Sequence, residues 1–125
     1  MIDKKKKQSQ IQSFKVAFNG IKLLICEERN FQIHLFFAVL AIAACFFFGV
    51  TKSEWVTVLI LIVLVLSAEA VNTCIEYLCN LVSPDYHPLV KKIKDISAGM
   101  VLMLAIVSVI VGCIMFVPYL LNWFI

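Results

Sequence analysis

Charge is scarce in this sequence: Asp, Glu, Lys and Arg make up 15% of its 125 residues, and none follows Asp95. A chain this short leaves too much of its surface outside to hide a 62% apolar composition within itself. With a mean hydropathy of +0.98, an ordinary soluble globule is excluded and a bilayer is the missing partner. Nor does a short apolar run with a small-residue cleavage site follow Lys4–Lys7, so no signal peptide is expected. The five cysteines (Cys26, Cys45, Cys74, Cys79, Cys113) form no paired framework. Cys74 and Cys79 are five apart and fall on different faces of a helix, so all five are read as apolar space-filling thiols.

What is present sorts into one domain, residues 1–125. Residues 1–10 form a basic tail, with Lys4 to Lys7 suited to anionic headgroups rather than to nucleic acid. Over 11–27, Ile11, Phe14, Phe18, Ile21 and Ile25 recur at helical spacing, with Lys15, Asn19 and Lys22 opposite them. That pattern predicts an amphipathic helix lying on a membrane surface. Three apolar segments follow, at 31–50, 55–81 and 96–118, each long enough to cross a ~30 Å hydrocarbon layer. Thr51–Glu54 connects the first two, and Ser83-Pro84-Asp85-Tyr86-His87-Pro88 breaks the helix after the second. Trp55 and Trp123 are placed as interfacial anchors. The expected fold is therefore an all-α membrane protein, a surface helix plus three transmembrane helices.

Orientation follows from the 11 basic residues. Seven precede the first span (Lys4, Lys5, Lys6, Lys7, Lys15, Lys22, Arg29) and three, Lys91, Lys92 and Lys94, lie between the second and third. Only Lys52 falls in the first connector. The positive-inside rule then puts the N-terminus and second loop in the cytoplasm and the C-terminus outside.

Against this apolar background the second span carries Glu69, Asn72, Thr73, Glu76 and Asn80 on one helical face, at offsets of 3, 4, 7 and 11 from Glu69. Counting inward from Trp55 puts Glu76 at the cytoplasmic boundary and Glu69 ~10 Å deeper, at 1.5 Å of rise per residue. A carboxylate at the membrane centre costs about 2.5–3.5 kcal/mol, which marks the stripe as functional. The shallow Glu suits a divalent cation in contact with water-borne phosphate, and the deeper one suits proton transfer from a lipid hydroxyl. Glu27 and Glu28 end the surface helix at the same level, where either can meet Glu76 in an oxygen-donor site of the kind Mg²⁺ prefers. Lys94 and Asp95 add a cation and an acceptor there. His34, at the start of an apolar span, reads as a helix-packing or headgroup contact. Ala98, Ala105 and Gly112, with Ser108 nearby, read as a small-residue packing stripe.

These motifs, Glu69-x-x-Asn72-Thr73-x-Ile75-Glu76, Ser83-Pro84-x-Tyr86-His87-Pro88-Leu89 and Lys94-Asp95-x-x-Ala98-Gly99, resemble the signature of the prokaryotic diacylglycerol kinase family over about residues 11–118. Glu28-Arg29-Asn30-Phe31, Gln32, His34 and Glu54-Trp55 look closer to its undecaprenol kinase branch. The resemblance implies a homotrimer in the bacterial cell membrane that uses ATP and Mg²⁺ to phosphorylate a membrane lipid alcohol, undecaprenol or diacylglycerol. It implies catalytic roles for Glu69 and Asn72 and metal binding by Glu28 and Glu76. Nucleotide contacts fall to Glu28, Glu76, Asp85, Tyr86, His87, Lys94 and Asp95, and lipid contacts to Glu69, Phe31, Trp55 and Ala98. Two positions depart from the pattern. Asn80 stands where the family usually has an acid, and Ser9 where a basic residue is expected, Lys7 and Lys15 being the nearest substitutes. Two other classes explain less. A proton-coupled transporter uses Glu69 but leaves Glu28, the Tyr86-His87 loop and Lys94-Asp95 idle, and a purely structural three-span protein leaves the whole stripe idle.

Overall fold

In a computed structural model, which describes residues 2–125, the chain is four helices: α1 (Ile2–Glu27), α2 (Arg29–Phe48), α3 (Lys52–Val82) and α4 (Pro88–Phe124). The last three are long and apolar enough to cross a membrane. α3 is the central element. It packs against α2 on one side and most extensively against α4 on the other, while α1 contacts α2.

The helix boundaries depart from the periodicity in two places. α1 begins at Ile2 rather than residue 11, because Lys and Gln are good helix formers and neither Gly nor Pro occurs before Gly20. Its apolar residues Ile11, Phe14 and Phe18 remain exposed, so protein does not cover this face. α4 passes through Pro118 to Phe124 instead of ending at 118. Proline removes one N–H from the ladder, but the turn beyond it is pinned: Tyr119 Oη donates to Glu54 Oε1 at 2.7 Å, and its ring stacks on Phe48 at 5.7 Å.

The connections are tight and capped. Glu28, extended at φ −103° and ψ 105°, separates α1 from α2, and Gln32 Nε2 reaches back across this break to the Ile25 carbonyl at 2.9 Å. Gly49 closes α2 in the left-handed region at φ 61°. Thr51 opens α3 with a reciprocal capping box: Glu54 N–H donates to Thr51 Oγ1, and Thr51 N–H donates to Glu54 Oε1, each at 3.2 Å. A Cβ added at Gly49 meets nothing within 4 Å, so only backbone strain opposes one. Gly49→Ala is therefore expected to destabilise the fold by about 1–2 kcal/mol, measurable as a lowered unfolding midpoint in detergent with activity retained at low temperature.

Burial within the bundle is sparse and follows a seven-residue period. On α2 it falls at Phe31, Ala38 and Cys45, and on α3 at Val58, Val65, Asn72 and Cys79. This is the spacing of helices that wrap in a left-handed sense. One end of the core is apolar, with Cys45, Val50 and Val58 packed by Phe48, Trp55, Phe116 and Tyr119. The other end is polar, with Glu69, Asn72, Thr73 and Ser97 all buried.

Candidate active site

The polar end is built by α3 and its two neighbours. Glu69, Asn72 and Thr73 are only 3–4% exposed, although most large apolar side chains of the same helix face outward. From α4, Ser97 Oγ donates to Asn72 Oδ1 at 2.7 Å, a buried bond that fixes the amide's orientation. Its Nδ2 is then directed at Glu76 Oε1, 3.5 Å away, at the outer limit of a hydrogen bond. From α2, His34 Nε2 lies 3.7 Å from Glu69 Oε2. At the break between α1 and α2, Glu28 accepts from the hydroxyl of Tyr77, the neighbour of Glu76. Of the two glutamates that end α1, Glu28 is thus the one that meets α3 at the level of Glu76.

The remaining predicted residues divide by location. Lys94 Nζ donates to Asn80 Oδ1 at 2.6 Å, so the amide that replaces the expected acid still seats this cation. Asp95 pairs with Lys91 at 2.6 Å along the exposed side of α4. Asp85, Tyr86 and His87 are exposed in the α3–α4 loop. His87 caps α4, its Nδ1 accepting from Leu89 N–H at 3.1 Å ahead of Pro88. Phe31 is buried one turn before His34, and Ala98 is exposed beside Ser97. Trp55 stands apart: fourteen residues up α3 put it ~21 Å from Glu69 at 1.5 Å per residue, where it packs edge-on against Phe46.

Two participants, Ser97 and Tyr77, were not picked out by sequence reasoning. Ser97 carried a signal, since it lies three residues after Lys94 and shares its helical face. His34 was read as a packing or headgroup contact, whereas it faces the buried carboxylate. Tyr77 carried no signal, because its partner lies on another helix. Among the described residues no three His, Cys, Asp or Glu side chains converge as a metal cluster.

Between the helices runs an apolar cavity of about 360 Å³, reaching from Ile33 and His34 to Met115 and Phe116. Ala105, Ser108 and Gly112 line it, so part of the small-residue stripe of α4 faces this space inside the chain. Removing the Ser97 hydroxyl leaves Asn72 Oδ1 without its donor. Ser97→Ala should cost about 1 kcal/mol, the scale of interhelical hydrogen bonds in membranes, and slow turnover by freeing the amide; unfolding and steady-state assays of one preparation check both.

A buried carboxylate, a fixed amide and a row of further charges thus gather at one end of three helices that are long and apolar enough to cross a membrane. Residues 15–116 match the prokaryotic diacylglycerol kinase family, and the chain belongs to it. It is 37% identical to an undecaprenol kinase of Bacillus subtilis over 85% of this chain and 86% of that one. It is 38% identical to a diacylglycerol kinase of a Synechocystis species over 88% of this chain, which spans 63% of that longer protein. A diacylglycerol kinase of Haemophilus influenzae is 31% identical over 85% of this chain and 91% of its own length. The protein is thus a membrane lipid kinase, a phosphotransferase with an alcohol group as acceptor, which sets aside the transporter and purely structural readings.

Proposed function

We propose that the protein transfers the γ-phosphate of ATP to the primary hydroxyl of undecaprenol at the cytoplasmic face of the bacterial cell membrane, as a homotrimer. The observation that carries the reading is Glu69, a carboxylate 3% exposed inside an apolar span, next to a residue that lines an apolar cavity between the helices. Undecaprenol is favoured over diacylglycerol because the Bacillus relative, matched over most of both chains, is an undecaprenol kinase.

Phosphoryl transfer asks the protein mainly for positioning and charge neutralisation. Glu69 accepts the proton as the hydroxyl O–H bond breaks, the lipid oxygen bonds to the γ-phosphorus, and the bond to the ADP oxygen opens. Asn72, held by Ser97, sits one turn from Glu69 and orients the groups between it and Glu76. Lys94, seated on Asn80, offers its ammonium to the phosphates, with Asp95 and the Asp85-Tyr86-His87 loop at the same end. The donor chemistry fits Mg²⁺: Glu28 and Glu76 bring hard carboxylate oxygens to one level, and this ion needs few protein ligands because it keeps waters and phosphate oxygens. Held by those two carboxylates, the ion would supply positive charge to offset that of the phosphates. The basic residues of α1 and of the first turns of α4 (Lys91, Lys92, Lys94) support the orientation with both on the cytoplasmic side.

The Synechocystis and Haemophilus relatives, both diacylglycerol kinases, favour the second reading, transfer to diacylglycerol. Presenting undecaprenol and diacylglycerol separately at matched mole fractions, with labelled ATP, separates the two. A higher kcat/KM for undecaprenol is expected; equal values or a preference for diacylglycerol would reverse the assignment.

A further inference from the structure

We infer that His34 is a positioning residue for the proposed base: its imidazole fixes the Glu69 carboxylate at the inner end of the apolar cavity, at the point where a lipid hydroxyl arrives. The inference rests on the kinase reading above and adds a residue to it. Three observations meet at this side chain. Its Nε2 lies 3.7 Å from Glu69 Oε2, and among the described residues it is the one basic side chain within 4 Å of that carboxylate. Among the described residues it is the only ionisable side chain lining the cavity, and Glu69 is not part of that lining. The two side chains are also unequally covered, 24% exposed for His34 and 5% for Glu69, so the imidazole stands between the cavity and the carboxylate.

The arrangement has a physical reason. A carboxylate in an apolar span can turn about its side-chain bonds, and its backbone does not decide which oxygen faces an incoming hydroxyl. An imidazole held 3.7 Å away on a second helix, a polar contact longer than a hydrogen bond, restricts that freedom. Because α2 carries His34 and α3 carries Glu69, the contact also ties the base to two of the three helices that border the cavity. A hydroxyl approaching from the cavity meets the imidazole before it meets the carboxylate oxygen. Misplacing a reacting group by about 1 Å can cost 100-fold in rate, so the contact has room to matter without touching nucleotide.

The test compares the wild-type protein with His34→Ala, His34→Gln and His34→Phe in vesicles, with undecaprenol as acceptor. Gln keeps an N–H donor, while Phe keeps the ring volume without one. His34→Ala is expected to lower kcat by roughly 10–100-fold with KM for Mg·ATP unchanged, Gln to recover most of the loss, and Phe to recover none. Gln and Phe both fill the site, so their comparison stands even where the Ala variant fails to fold. Equal activity of the Gln and Phe variants, high or low, overturns the inference, as does a folded Ala variant with wild-type kcat. A wild-type protein that phosphorylates no lipid alcohol instead overturns the kinase reading itself.

Discussion

Glu69→Gln is expected to reduce lipid phosphorylation by roughly 10²–10⁴-fold, the usual contribution of a general base, with Mg·ATP binding close to that of the wild type. The substitution keeps the shape of the side chain and removes its capacity to take a proton. Glu69 lies seven residues along α3 from Glu76, so the change should not reach the nucleotide end. Folding should survive, since replacing a buried carboxylate by a neutral amide relieves a desolvation cost. Steady-state turnover and equilibrium binding of a nucleotide analogue, measured on one preparation, give the two numbers. Loss of binding with intact chemistry would move Glu69 out of the base role.

Glu76→Gln should fail in the opposite way. Here the expected effect is on Mg·ATP: binding weakened by roughly 10–100-fold, as when a metal-supporting group is lost, and partly restored at high Mg²⁺. The Asn72 amide that now points at Glu76 would still find an oxygen acceptor in Gln, so the packing around Ser97 should hold. A rate whose Mg²⁺ dependence matches the wild type would remove Glu76 from the metal role. The paired results matter more than either alone. They test whether two carboxylates, seven residues apart on one helix face, divide the work into proton transfer and cation support.

Much of this division is legible in the sequence, because it depends on quantities internal to one helix. Offsets of 3, 4, 7 and 11 place Glu69, Asn72, Thr73, Glu76 and Asn80 on one face whatever surrounds them, and the structure buries the first three. The three spans are legible for the same kind of reason: their lengths answer to the thickness of the bilayer. What the pattern misses depends on two helices at once. His34 against Glu69, Tyr77 on Glu28 and Lys94 on Asn80 each require the rotation of one helix about another, which one chain's periodicity leaves undetermined. The two misplaced helix ends have local causes. At residues 2–10 good helix formers extend an amphipathic helix past its apolar face, and at Pro118 the Tyr119–Glu54 bond holds a turn that proline weakens.

Asn80 shows how a departure from a family pattern is absorbed. An amide oxygen accepts from an ammonium as an acid does, at 2.6 Å, without adding negative charge. Lys94 is thereby held in place but not neutralised, which on the proposed mechanism leaves its charge for the phosphates.

On the proposed mechanism the Glu69 carboxylate accepts a proton from a lipid hydroxyl during phosphoryl transfer. The most direct measurement follows label from γ-labelled ATP in vesicles that contain the purified protein and undecaprenol, scoring lipid-phase and aqueous phosphate separately. Label entering the lipid phase only when lipid alcohol and Mg²⁺ are both present, and not entering it with Glu69→Gln, is the predicted result. Label released solely as inorganic phosphate, or lipid phosphorylation that persists at the wild-type rate with Glu69→Gln, would contradict it.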